Sequence, residues 1–118
     1  MTTIPSPSEF QTHASIVSWL KAALPSAIVV HPLNNPRSAV AGAKAKRMGM
    51  LAGAPDLIVI HYGKMFCIEV KTKTGRQSPA QVAFQERCME HGVPYCIARG
   101  IGDVQAFLHD LDIPVRAA

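Results

Sequence analysis

Hydrophobic positions change rhythm several times along the chain, and each change marks an element. Phe10, Ala14, Val17, Leu20 and Leu24 recur at helical spacing, which predicts an amphipathic helix ended by Pro25. Ser6 as N-cap, Pro7 in the first helical position and Glu9 at the third form a capping box for its start. Residues 27–31, AIVVH, are a short β-branched run and predict a strand. From 32 to 55 the periodicity dissolves into Asn, Pro, Gly, Ala and basic residues, with a short helix accommodated near Ala39 to Leu51. A connection of that length in a small domain is usually functional or mobile.

Two apolar runs follow, Leu57 to His61 and Met65 to Lys71, joined at Tyr62-Gly63. Neither alternates strictly, so the hairpin is expected to be covered on both faces. Ser78, Pro79 and Gln81 make a second capping box for a helix that runs to about His91 and stops at Gly92. Val93 to Arg99 predicts a last strand, and Asp103 is read as the cap of a short final helix. The order α-β-β-β-α-β-α predicts an α/β fold, a mixed sheet flanked by helices in three layers.

Composition narrows the classes. A chain of 118 residues, 48% hydrophobic and 17% charged, supports one packed core. The expected arrangement is a single domain over 1–118, its core spanning about 6–111. No apolar run approaches the roughly 20 residues that span a bilayer, so no membrane partner is expected. The N-terminus, MTTIPSPSEF, does not read as a secretion signal. Cys67, Cys88 and Cys96 form no Cys-x-x-Cys pair, which predicts reduced buried thiols in a cytoplasm. The net charge is +4, and the cations cluster: Arg37, Lys44, Lys46 and Arg47 in the long basic loop 32–55, then Lys64, Lys71, Lys73 and Arg76. Clustered positive charge suits a polyanionic partner, although a solvated run accounts for it as well.

The hairpin places the chemistry. If Tyr62-Gly63 is a two-residue turn, His61 faces Lys64, and counting outward brings Asp56 opposite Glu69. Opposed residues share a face with Cβ atoms about 5 Å apart, and Lys71, two residues beyond Glu69, lies on that face too. Opposed carboxylates repel, so one is protonated, Lys71 compensates, or a cation sits between them. A structural salt bridge and a hard-cation site both satisfy this geometry. Oxygen ligands suit Mg²⁺ or Mn²⁺ rather than zinc.

The strings GAPDLIVI and CIEVKTKTGRQSPAQ resemble the Pro-Asp…Glu-x-Lys signature of restriction-endonuclease-like nucleases. Gly53, the segment Gly75 to Gln81 and Gly92 make the chain similar to the virus-type replication-repair nuclease (VRR-NUC) branch, over Ser6 to Arg99. The resemblance implies a three-layer restriction-endonuclease-like core (α-β-β-β-α-β) and a Mg²⁺- or Mn²⁺-dependent endonuclease acting on DNA. It implies metal binding by Asp56, Glu69 and the Val70 carbonyl, with Glu9 nearby directly or through water. Lys71 matches the catalytic lysine, and Gln81 a glutamine supporting that lysine and the metal-bound water. For Glu9 and Gln81 a purely capping role stands beside the functional one. Stand-alone members act as homodimers on branched DNA, such as four-way (Holliday) junctions or flaps. Phosphate contacts are expected from Arg37, Lys44, Lys46, Arg47, Lys73 and Arg76. The rival from another class is a non-catalytic nucleic-acid-binding module that kept the fold.

The five histidines lack metal-ligand spacing; only His31 and His61, at strand ends, are placed to border the site. Trp19 and Ile16 either widen the core stripe of the first helix or form a dimer interface.

Overall fold

The computed structural model describes residues 6–32, 38–49 and 51–116. In chain order it contains α1 (Glu9–Ala23), β1 (Ile28–Val30), α2 (Ala39–Arg47), β2 (Leu57–His61), β3 (Lys64–Val70), α3 (Pro79–Glu90), β4 (Tyr95–Ala98) and α4 (Ile101–Asp110). The strands form one sheet in the order β1-β2-β3-β4. The first two pairings are antiparallel and β3 with β4 is parallel, so the sheet is mixed.

The hairpin adopts the expected register. Tyr62 and Gly63 both have positive φ, 46° and 77°, as the two central residues of a type I′ turn require. His61 therefore pairs with Lys64, and the ladder runs to Leu57 opposite Ile68. Asp56 is the next residue beyond its end.

Leu57, Val59, Phe66, Ile68 and Val70 face Ile16 and Leu20 of α1 and Val104 and Leu108 of α4, all within 1% of complete burial. The opposite face carries Ile58, Met65 and Cys67 against Phe84 and Cys88 of α3. Coverage on that face is partial, against the expectation for the hairpin. Residues Phe66 to Val70 are buried, but Ile60, Met65 and the β1 residues Ile28 and Val30 remain exposed. α3 forms the crossover between the parallel strands β3 and β4 and packs over that part of the sheet.

Other sequence expectations are corrected as well. α1 is capped by Ser8 with Gln11 as its reciprocal partner, not by Ser6 with Glu9; Glu9 is the first helical residue. The buried stripe of α1 is Thr12, Ile16, Leu20 and Ala23, while Phe10 is 81% exposed. Apolar side chains surround much of this helix, and the sheet selects which ones it covers. Ile16 is thereby fully buried and joins the core stripe, while Trp19 packs on the core and keeps part of its surface exposed. Finally, α4 begins after Gly100 without a side-chain cap; Asp103 sits inside its first turn and accepts the Arg99 backbone N–H at 2.8 Å.

The connection from β1 to β2 contains α2, which is capped by Ser38 and closes at its C-cap Met48, short of the expected limit of Leu51. Arg37 lies outside the described residues. Among the described residues no helix is long and apolar enough to cross a membrane.

Candidate active site

Asp56 and Glu69 meet the end of the sheet in different ways. Asp56 is half-buried, and its Oδ2 accepts the Val70 backbone N–H at 2.7 Å. This bond replaces the ladder pairing that stops at Leu57 and fixes the carboxylate against the strand that carries Glu69. Glu69 is 0% exposed. Its Oε1 accepts the Tyr95 hydroxyl at 2.7 Å. Its Oε2 is buried and has no hydrogen-bond partner among the described residues. Buried carboxylate oxygens are costly to leave unsatisfied.

Lys71 continues the strand direction, its backbone N–H donating to the Ala98 carbonyl at 3.0 Å. Among the described residues the one ion pair is His109 with Asp110, so the salt-bridge alternative for Lys71 with Asp56 or Glu69 is not formed. The loop after Lys71 folds back over its stem: a β-carbon placed at Gly75 would lie 3.6 Å from Lys71 Cδ and 2.9 Å from Thr72 Oγ1. Arg99 clamps this loop. Its Nη1 donates to the carbonyls of Thr72 at 2.6 Å and Gly75 at 2.7 Å, with Lys73 at 3.4 Å. One guanidinium thus ties the end of β4 to the turn beside Lys71.

Gln81 serves the cap of α3. Its Oε1 accepts the Ser78 N–H at 2.8 Å while the Ser78 hydroxyl takes the Gln81 N–H at 3.2 Å. The local reading is satisfied, and what Gln81 has left to offer the site is its amide nitrogen. Gly53, at φ +79°, packs its backbone on Ala80 and Gln81, which joins the segment before Asp56 to the start of α3.

Glu9 is brought to Asp56. Together with Phe10, His13 and His31 they line one open cleft of ≈ 390 Å³. His31 Nδ1 lies 2.7 Å from the Asp56 carbonyl oxygen, and the His13 and His31 rings meet edge-on at 4.8 Å. His31 therefore borders the site. His61 is at the other end of β2, in the hairpin turn beside Lys64. Glu9, Asp56 and Glu69 do not close into a three-acid cluster: among the described residues no three His, Cys, Asp or Glu side chains form a metal-binding group. The fit of a divalent cation therefore rests on the Asp56–Glu69 pair, the unpartnered Oε2 of Glu69 and the main chain at Val70. Those are hard oxygen donors. Thiolate ligation is disfavoured, because burial, with Cys88 beside it, pushes the Cys67 thiol up to about 12; all three cysteines are free and buried.

The cations sit outside this pocket. Lys44, Lys46 and Arg47 occupy the last turn of α2, where they complement the helix dipole, and all three are exposed. Lys73 and Arg76 are exposed in the loop between β3 and α3.

Tyr95, Arg99 and His13 were not singled out by sequence reasoning. Tyr95 reaches Glu69 only because β3 and β4 are parallel in the register Cys67 with Tyr95 and Glu69 with Ile97. That register is set by a crossover helix and leaves no short-range sequence signal.

A mixed sheet with helices on both faces, an acid pair at one end of its hairpin and a lysine beside them define a nuclease-fold α/β domain. The VRR-NUC domain model matches residues 4–101, and the chain belongs to that family. A solved VRR_NUC domain protein superposes with a TM-score of 0.72 at 25% identity, covering 91% of this chain and 89% of the other. A solved VRR_NUC domain superposes at 0.63 with 22% identity, covering 86% and 94%, and at that identity attests the fold alone. No curated protein matches the chain.

Proposed function

We propose that the protein is a Mg²⁺- or Mn²⁺-dependent endonuclease that hydrolyses phosphodiester bonds in branched DNA. The observation that carries this reading is Glu69: a fully buried carboxylate with one oxygen unpartnered among the described residues, at the sheet end where Asp56 is also fixed. Asp56, Glu69 and the Val70 carbonyl would hold the cation. When bound, it supplies Lewis acidity that activates water and offsets charge on the phosphate. Glu9, in the cleft with Asp56, holds ordered water at the site's outer edge, in keeping with a small hard cation that retains much of its hydration.

The Lys71 ammonium donates to phosphate oxygens as negative charge develops on them, and the Arg99-clamped loop limits where its stem can point. A preorganised donor of this kind is worth more than a mobile one because it needs no reorganisation during reaction. The Gln81 amide nitrogen supports the same oxygens. Lys44, Lys46, Arg47, Lys73 and Arg76 hold the flanking phosphates without reading sequence. Resolving a four-way junction takes two coordinated cuts, and one chain carries one such centre, so a two-fold dimer is the working form.

The reading is tested with single-stranded, linear duplex, flap and four-way DNA in Mg²⁺, Mn²⁺ and excess chelator, with light scattering at micromolar concentration. Cleavage should require the metal, favour branched substrates and vanish in Asp56→Ala and Glu69→Ala. Undiminished cleavage in chelator, or full activity of Asp56→Ala, would overturn the mechanism. A strict monomer that cuts linear and branched DNA equally would overturn the branched-DNA assignment. Metal-independent binding without cleavage by wild type would favour the non-catalytic binding module.

A further inference from the structure

The two oxygens of Glu69 meet different surroundings. Oε1 accepts the Tyr95 hydroxyl at 2.7 Å, whereas Oε2 is buried and unpartnered among the described residues. Glu69 is 0% exposed, so bulk water does not compete for either oxygen. Parallel pairing sets Cys67 beside Tyr95 and Glu69 beside Ile97. Tyr95 and Glu69 therefore share one face of adjacent strands, two residues apart along the sheet. A phenol has a single proton to donate, and here it is directed at Oε1.

A carboxylate can ligate through one oxygen or grip a cation with both. Mg²⁺ demands near-ideal octahedral geometry at about 2.0–2.1 Å, which the narrow bite of a two-oxygen grip distorts. Ca²⁺ takes about six to eight oxygens at longer distances and accepts either mode. The partner of a ligating carboxylate therefore bears on which cation the site prefers.

We propose that Tyr95 is a specificity-determining residue for the metal: its hydrogen bond engages Oε1, biases Glu69 towards one-oxygen ligation through Oε2 and so favours small octahedral cations over Ca²⁺. This rests on the reading of Asp56 and Glu69 as metal ligands. Tyr95 acts through Glu69 and touches neither the cation nor the DNA, so its role is positioning.

The test is calorimetric titration of the metal-free protein with Mg²⁺, Mn²⁺ and Ca²⁺, for wild type and Tyr95→Phe. Tyr95→Phe keeps the ring and removes the donor; the ratio of Mg²⁺ to Ca²⁺ affinity should fall on the order of tenfold, the lower end of the effect of such ligand-orienting partners. An unchanged ratio in Tyr95→Phe, with wild type binding Mg²⁺, would overturn the role of Tyr95 and leave the nuclease reading standing. Wild type that binds no divalent cation would overturn the metal reading and this inference with it.

Discussion

Gly53 lies against the first turn of α3 so closely that a β-carbon there would run into the Ala80 carbonyl, and would meet the Gln81 amide nitrogen at 2.7 Å. Its φ of +79° adds a backbone conformation that other residues adopt only with strain. Three residues later the chain reaches Asp56, so this close approach sets where the first acid stands relative to α3. Gly53→Ala should therefore destabilise the fold by about 2 kcal/mol or more, combining the positive-φ penalty with displacement of the helix start. Gly92→Ala is the control. Gly92 has φ +70° but open space around it, so the destabilisation should be confined to the conformational part, about 1 kcal/mol. Thermal or urea unfolding of both variants gives the comparison, and equal losses would show that packing on Ala80 is not limiting.

Lys71→Met should slow the chemical step by about 10²- to 10³-fold, the scale of removing one preorganised transition-state donor. Affinity for DNA should stay nearly unchanged, because the exposed cations supply most of the attraction to phosphates. Single-turnover rates alongside equilibrium binding separate the two. Gln81 can be dissected in the same assay. Gln81→Glu retains the capping box, which accepts either residue, but loses the amide nitrogen. It should fold like wild type and cleave more slowly; wild-type rates would reduce Gln81 to its cap.

Arg99→Met removes the clamp that holds the carbonyls of Thr72 and Gly75. Because the Arg99 side chain is exposed, the fall in global stability should be modest, about 1 kcal/mol. The local effect should be larger. Amide exchange from Lys71 to Gly75 should accelerate while the core strands stay protected. Cleavage should slow on the order of tenfold or more, since a small misplacement of an orienting group is costly in rate. Unchanged exchange in the loop would remove Arg99 from any account of Lys71.

Neutralising Lys44, Lys46 and Arg47 together tests the last turn of α2. Binding to single-stranded, duplex and branched DNA should weaken alike. The slope of log K against log salt on duplex DNA should flatten by about 0.9 for each phosphate that the variant no longer neutralises. A slope identical to wild type would mark these residues as a solvated helix end.

What the sequence determined by itself is local. A two-residue turn fixes the register of a hairpin, because each step outward from Tyr62-Gly63 pairs one residue of β2 with one of β3. That register alone brings Asp56, Glu69 and Lys71 to one sheet end. Capping chemistry acts within a single turn, so the Ser78–Gln81 box locates the start of α3. At α1 the same logic misplaces the cap by two residues, because Ser6 and Ser8 offer similar caps and packing chooses between them. Tertiary structure alone decided which stripe of α1 is buried, which brought Glu9 into the cleft with Asp56. It also decided that Tyr95 reaches Glu69 and that Arg99 holds the loop beside Lys71. Those relations join residues more than twenty positions apart through a parallel strand pairing and helix–sheet packing. Their register is set by how a helix fills the space over a sheet, which depends on many side chains at once and leaves no periodic mark in the sequence.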